Sequence, residues 1–268
     1  MVPILERILL GFSRAPADAA VGHLAADWRV AMARLLVDYP DLRRQIAGRR
    51  VVDFGCGEGH HAVAMAREGA CEVLGVDIDA DLLARGREAA LAAGVADRVR
   101  FVTEVRAADM GGHDLLVSLN SMEHFGAPRA ALEQMLGLLR PGGRLLISFD
   151  PTWYSPWGGH MHFFTSVPWV HLLFPESTVM KVRARFRDDG ATRYAEVPGG
   201  LNRMSVARFE RIMDDPRLEL LDLRLVGIRN ISLFGRIPVL RELLVPRVVC
   251  TAALRGAAAE ARELRAGA

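Results

Sequence analysis

Cysteine is scarce in this 268-residue chain, with only Cys56, Cys71 and Cys250. The count is odd, the spacing is wide and no CxxC occurs, so neither a disulfide framework nor a cysteine-bound zinc is expected. A reducing compartment, the cytoplasm, suits such a chain. An excess of either charge is also missing. The formal net charge is +2 and no run of five like charges occurs, which argues against nucleic acid as a partner. No apolar stretch reaches the roughly 20 residues of a membrane span, so stable membrane insertion is not expected. The apolar start, Met1 to Gly11, is interrupted by Glu6 and Arg7 and lacks the unbroken apolar centre of a secretion signal. No internal repeat is visible. What is present is hydrophobic material, 51% of the chain, ample for a core. The length suits one domain with elaborations.

Residues 1–47 read as an N-terminal helical cap. Asp18 is placed to cap a helix running toward Asp38, and Tyr39-Pro40 ends it. Residues 48–150 alternate short apolar runs with helical segments. Strands are expected at 51–54, 72–76, 99–104, 115–119 and 145–149, and helices at 60–68, 81–93 and 128–140. That alternation predicts an α/β fold, Rossmann-like and doubly wound, with a mostly parallel sheet covered on both faces. Residues 151–200 break the rhythm and read as an inserted lid. Pro151 to Pro175 carries no Asp, Glu, Lys or Arg but holds Trp153, Trp157, Trp169, His160, His162 and His171. Its four prolines exclude one long regular element. Residues 201–268 complete the sheet with a helix at 205–213 and an antiparallel hairpin of strands at 218–228 and 248–254. The run from Phe234 to Val249, with Arg236, Arg241 and Arg247, reads as a core strand with solvated arginines, or as a membrane-surface contact.

The most informative segment is Val51-Val52-Asp53-Phe54-Gly55-Cys56-Gly57-Glu58-Gly59. A glycine-rich turn leaves a strand and opens a helix, whose N-terminus offers free N–H groups to an anion. Dinucleotide folds favour GxGxxG, but His60 stands where the third glycine would fall. The pattern is instead D-x-G-x-G-x-G. It is followed by Asp77 at the end of the second strand, Asn120-Ser121 after the fourth, and Pro141-Gly142-Gly143 before the fifth. Together these resemble the class I S-adenosylmethionine-dependent methyltransferases over residues 48–150. The resemblance implies a cofactor site for S-adenosylmethionine. Gly55, Cys56, Gly57 and Gly59 would line its methionine part and Asp53 would bind its ammonium. Asp77 would hold the ribose, Ile78 would pack on adenine, and Asn120 would sit beside the sulfonium. The family's acid for the adenine amino group is displaced here. Val105 occupies its gapless position, with Glu104 preferred and Asp109 further on.

By the same resemblance the acceptor meets the methyl group above the carboxyl ends of the strands. Glu123-His124 is similar to the pair that follows strand four in ubiquinone-type O-methyltransferases. A proton must leave an oxygen or nitrogen acceptor, and a histidine is the usual base. His124 is the first candidate, His160 the second and His162 the third. Each has a structural alternative, a ring that only bonds backbone. His160-x-His162 with Asp150 or Glu123 raises the question of a metal, but without HExxH or a Cys/His framework none is expected. The uncharged, tryptophan-rich lid points to a lipophilic or aromatic small-molecule acceptor. Alternatively, it packs on the N-terminal helices or on the mate in a homodimer. Two other readings of the chain stay open: an NAD-linked oxidoreductase on a similar sheet, and a methyltransferase-like binding module without catalysis.

Overall fold

The computed structural model describes residues 3–14, 27–231, 233, 235 and 237–256. The N-terminal helices are α1 (Ile4–Gly11), α2 (Trp28–Asp38) and α3 (Leu42–Ile46). The central part runs β1 (Arg50–Phe54), α4 (His60–Arg67), β2 (Glu72–Val76), α5 (Ala80–Ala92), β3 (Val99–Val102), β4 (His113–Leu119), α6 (Pro128–Leu138) and β5 (Leu139–Phe149). Then come α7 (Val170–Leu173), α8 (Glu176–Arg183), α9 (Val206–Met213), β6 (Leu218–Val226), α10 (Pro238–Leu244) and β7 (Arg247–Leu254).

The strands form one seven-stranded sheet in the order β3-β2-β1-β4-β5-β7-β6. β1 to β5 are parallel to their neighbours, while β7 enters antiparallel between β5 and β6. The expected C-terminal hairpin is therefore present. Successive strand residues point to opposite faces, and both faces here are apolar. Val51, Leu115 and Leu146 join the cluster under α2, α4 and α5. Val52, Leu116, Leu145 and Ile147 join the cluster under α6 and α9. The strand order reverses between β1 and β4, so the loops after these two strands flank a crevice at the carboxyl end of the sheet.

The N-terminal helices divide between two bodies. α2 packs on the sheet. It starts at the Asp27 cap, whose carboxylate accepts from Arg29 N–H at 3.0 Å, and ends before Tyr39-Pro40. Asp18 lies outside the described residues. α1 instead joins a separate lid core through Leu9, with Trp153, Phe164, Val179, Met180 and Tyr194. Backbone bonds seal the union: Arg14 N–H donates to Phe164 O at 2.8 Å, and Thr165 Oγ1 donates to Phe12 O at 3.1 Å. Packing of the lid on the N-terminal segment is thus what the structure shows.

The run from Phe234 to Val249 is not one strand. Pro238 sits in the first turn of α10, where its missing N–H costs nothing, and β7 begins at Arg247. Its described arginines are paired rather than solvated. Arg241 meets Glu210 at 2.6 Å and Arg247 meets Asp38 at 2.6 Å. Phe234 and Arg236 lie outside the described residues.

Asp38 clips α2 to the sheet. Its carboxylate is 3% exposed and accepts from Ser148 Oγ of β5 at 2.7 Å as well as from Arg247 of β7. Next to it, Tyr39 Oη donates to Cys250 O at 3.2 Å. Removing Asp38 leaves the buried Ser148 Oγ without its acceptor and Arg247 with only Asp150 among the described residues, at 3.5 Å. Asp38→Ala is therefore expected to lower unfolding stability by about 2–4 kcal/mol in urea titrations. A change within about 0.5 kcal/mol, as for an ordinary surface substitution, would show that the clip contributes nothing.

Candidate active site

The chain leaves β1 through a turn whose glycines, Gly55, Gly57 and Gly59, have φ of +77°, +51° and +69°. The turn is tied to the end of β2, because the N–H groups of Gly55 and Cys56 both donate to Val76 O, at 2.8 and 3.0 Å. At Gly55 a side chain is excluded twice over. The φ is left-handed, and a Cβ would fall 2.5 Å from Ser121 Oγ. Ser121 Oγ donates to Gly55 O at 3.0 Å, so the loops after β1 and β4 touch. At Gly57 the space a Cβ would take is open, with nothing within 4 Å.

Two carboxylates attend this turn. Asp53, 1% exposed, sits beneath it. It accepts from the backbone N–H of Ala62 in α4, while its Oδ2 has no partner among the described residues. Burial raises its pKa to about 7, against the lowering by the Ala62 N–H and with a further push from Asp77. Asp77, just past β2, accepts from Gly57 N–H at 2.7 Å through Oδ2 and from Asp79 N–H at 3.1 Å through Oδ1. A carboxylate has about four acceptor sites, so each oxygen keeps a lone pair for a diol. Beyond Asp77, Ile78 is 94% exposed, a bare apolar side chain beside the crevice.

The other expected contributors are placed as follows. Cys56 is buried, and burial pushes its thiol far above the usual range, so it is no nucleophile. Glu104 lies exposed on the loop after β3. Asp109 is engaged elsewhere, by the Arg100 guanidinium and by Arg106 N–H at 2.9 Å. Asn120 is exposed at φ +49°, and its backbone N–H donates to Ser148 O at 2.8 Å.

On the β4 side the structure gathers Glu123, His124 and His160. One ligand-capable atom from each lies within 4.8 Å of the others. His124 Nδ1 is 2.6 Å from Gly200 O. A carbonyl only accepts, so Nδ1 carries the hydrogen and Nε2 presents its lone pair. That Nε2 is 3.9 Å from Glu123 Oε1. Glu123 is 3% exposed, and neither carboxylate oxygen has a partner among the described residues. Burial raises its pKa to about 8, opposed by its own N–H and helped by Asp150. His160 crosses from the lid at φ +55° and stands edge-on to His124, ring centres 5.3 Å apart. Its Nε2 is buried and also unpartnered. Burial, then the nearby His124, His162 and His171, lower its pKa to about 4. Asn202 fixes the β4 loop: its Nδ2 donates to Met122 O and Phe125 O at 2.8 Å each, and its N–H donates to Glu123 O at 3.0 Å.

His162 is exposed, and the lid is not extended there, so the HxH spacing does not bring the two rings together. His171 is a structural histidine, buried with Nε2 2.5 Å from Trp153 O. Trp153 packs inside the lid core, edge-on to His171 and Tyr194 at 4.8 and 5.1 Å, rather than forming a wall of the crevice.

The central part of the chain is similar to known proteins. Residues 51–143 match the family described as methyltransferase domain. The ubiquinone biosynthesis O-methyltransferase of Xanthomonas euvesicatoria pv. vesicatoria (strain 85-10) is 35% identical over 114 residues, 42% of this chain and 47% of that protein. A relative of the same name from Pseudomonas aeruginosa (strain LESB58) is 37% identical over 116 residues, 42% of this chain and 50% of that protein. Residues 51–143 are thus the part of the chain that matches a methyltransferase domain. It spans about half the length of the curated relatives it matches. Among solved structures, geranyl diphosphate C-methyltransferase from Streptomyces coelicolor A3(2) shares the fold at a TM-score of 0.55 and 20% identity, covering 84% of this chain and 76% of that one. So does the [4+2]-cyclase SpnF, at 0.56 and 16%, covering 85% and 81%.

The sequence marks Glu123 through its pairing with His124 and as a metal-ligand candidate, and Ser121 through the Asn120-Ser121 motif, but nothing in it signals Gly200 or Asn202. Asn202 and Gly200 are nearly 80 residues from the loop they hold, beyond any local pattern.

Asp53 supplies a test by linkage. A carboxyl whose folded pKa is raised binds a proton in the native state that the unfolded chain has released, so stability falls as pH rises. The window runs from about pH 4, its usual value, to about 7. Asp53→Asn is expected to be more stable than the parent by about 1–3 kcal/mol at pH 8, and nearly equal to it at pH 4.5. Parallel pH profiles for the two proteins in urea titrations would refute the buried, raised carboxyl.

Proposed function

We propose that this chain transfers the methyl group of S-adenosylmethionine to an oxygen of a small, lipophilic acceptor. The observation that carries the reading is the Ser121–Gly55 hydrogen bond. It joins a glycine turn above a buried, half-satisfied acid to a loop bearing a lone-pair nitrogen, at the switch point of the sheet. The residues fit the cofactor. Asp53 Oδ2 lacks a partner that an ammonium would supply, and the open space at Gly57 admits a ligand against the backbone. Asp77 has lone pairs to spare for the ribose diol. Ile78 offers an apolar face for adenine, and Glu104 is the acid free of the Arg100 pairing that occupies Asp109. The names of the relatives support oxygen as the methylated atom.

When bound, S-adenosylmethionine supplies a methyl group on a sulfonium: a lone pair of the acceptor oxygen forms the new C–O bond, the C–S pair returns to sulfur, and the hydroxyl proton is lost. This chain's part is to hold both reactants and receive that proton. Holding alone is worth up to ~7–11 kcal/mol in well-aligned systems. The proton is drawn off at the Glu123–His124–His160 cluster, with His124 Nε2 at its centre. His60 at the start of α4, where a dinucleotide fold carries glycine, weighs against the oxidoreductase alternative.

Calorimetric titration with S-adenosylmethionine, S-adenosylhomocysteine and NAD in parallel should show binding of the two adenosyl compounds only. NAD binding alone would sink the reading. Asp77→Ala should weaken S-adenosylmethionine about 10–100-fold, the worth of hydrogen bonds to a charged group, in a protein that still folds, as its circular dichroism would show. Unchanged affinity would remove Asp77 from the site. His124→Ala should lower turnover of a lipophilic phenol about 10²–10⁴-fold with cofactor affinity intact; equal turnover would move the proton step elsewhere.

A further inference from the structure

Residues 199–204 lead from the lid into α9 and lie against the loop after β4. The segment is held from behind by elements that do not belong to that loop. Trp153 N–H donates to Met204 O at 2.6 Å. The Arg203 guanidinium meets Glu176 of α8 at 2.8 Å and stands 5.3 Å over the Trp153 ring. From α9, the Arg208 guanidinium donates to Asn202 O. Gly199, Gly200 and Arg203 are left-handed, at φ of +82°, +68° and +60°. A left-handed arginine is strained and persists only where its surroundings over-determine it, and such residues cluster at clamps and active sites. What this segment clamps is the β4 loop. Asn202 Nδ2 donates to Met122 O and Phe125 O at 2.8 Å each, and its backbone N–H donates to Glu123 O at 3.0 Å. An asparagine amide has two N–H donors, and both serve the one turn. Its orientation is forced, because a flipped amide would set Oδ1 against two carbonyl oxygens.

We propose that Asn202 is a positioning residue for His124: by holding the β4 turn against residues 199–204 it fixes the His124 tautomer whose lone pair is on Nε2. The ring hangs from the turn, while the acceptor of its Nδ1–H, Gly200 O at 2.6 Å, belongs to the segment. A slip of about 1 Å between the two would stretch that bond past hydrogen-bonding distance. Which ring nitrogen carries the hydrogen is set by the bond the other makes, so a released ring takes up either tautomer. On the same side a Cβ at Gly199 would sit 3.3 Å from Nδ1, and the segment reaches the ring this closely only as glycine. An aspartate at 202 would keep the size of the side chain and lose both donors.

The use of that lone pair rests on the methyl-transfer reading; the hold on the ring does not. As the acceptor oxygen forms the C–O bond and the C–S pair returns to sulfur, the hydroxyl proton passes to Nε2. In the other tautomer Nε2 already carries a hydrogen and receives none. Asn202 therefore acts through the turn, by keeping the receiving nitrogen bare.

The test uses the full chain, isotope-labelled at the histidine nitrogens. Long-range proton–nitrogen NMR spectra in alkaline solution report the tautomer, with the His124 signals assigned by their loss in His124→Ala. The parent should carry the hydrogen on Nδ1 alone. Asn202→Ala and Asn202→Asp should each show a mixture of both tautomers. Each should also lower turnover of a lipophilic phenol about 10–100-fold, the size of a misplacement of about 1 Å, with the loss in kcat and not in cofactor affinity. Asp38→Ala, which loosens the fold away from this loop, should keep the parent tautomer and so separates positioning from stability. A parent with the hydrogen on Nε2, a folded Asn202 variant with the parent tautomer, or the same mixture in Asp38→Ala overturns the proposal. Should Asn202→Ala fail to fold, Asn202→Asp and the parent spectrum decide. A shifted tautomer with equal turnover leaves the hold on the ring standing and moves the proton step away from His124. An unshifted tautomer with reduced turnover removes the hold and leaves the methyl-transfer reading standing.

Discussion

The contact between Gly55 and Ser121 is the constraint on which the site depends. β1 and β4 are neighbours at the point where the strand order reverses, and the crossovers leave their ends in opposite directions. The two loops must therefore diverge to open a crevice, yet start close enough to place two reactants side by side. Ser121 Oγ does this by sharing its one hydroxyl hydrogen between Gly55 O and Leu119 O, at 3.0 and 2.9 Å. Only a residue without a Cβ lets that serine approach. The glycine turn and the Glu123–His124 loop consequently have a fixed separation, and everything proposed for the chemistry follows from it.

Energetically, the two loops carry similar burdens. Each has an acid under 4% exposed with at least one unpartnered carboxylate oxygen, Asp53 on one side and Glu123 on the other. In both, burial raises the pKa. Buried, unmatched acids oppose folding, so the rest of the molecule must offset them, and the two apolar layers flanking the sheet supply that surplus. The fold thus holds one buried, incompletely partnered acid on each side of the crevice.

The core of the fold was legible in the sequence because its strands are buried on both faces. Val51-Val52 and Leu115-Leu116-Val117 are continuous apolar runs ended by a turn, and such runs mean a parallel sheet. The glycine turn, Asp53 and Asp77 were legible because all the geometry they need is local. The lid was not. Its sequence shows what it lacks, charge and a long helix, but its shape is set by α1, which lies more than 140 residues away and packs Leu9 beside Phe164. Spacing alone could not give the lid histidines, ranked His160 before His162, their surroundings. His160 and His162 differ by two positions, yet one faces His124 and the other faces solvent, a difference made by the backbone turn at φ +55°. The run ending in β7 misled because arginines in an apolar stretch read as surface, while Arg241 and Arg247 reach Glu210 and Asp38 on other elements.

That α1 and the lid form one body has a consequence for how the site assembles. Glu123 and His124 are fixed by Asn202 and Gly200, while His160 is placed only by the lid. The lid core has its own apolar contacts, with Leu9, Trp153, Phe164 and Tyr194 largely independent of the sheet. Polar bonds tie it to the rest of the chain. Trp153 N–H donates to Met204 O, and Thr152 binds the chain before β7 through its N–H and Oγ1. The same segment also reaches the β4 loop at its far end, where the Gly200 carbonyl accepts from His124 Nδ1 at 2.6 Å. The segment from 151 to 200 is thus tied to the sheet at both ends, and His160 is placed beside His124 by a body anchored on either side of it.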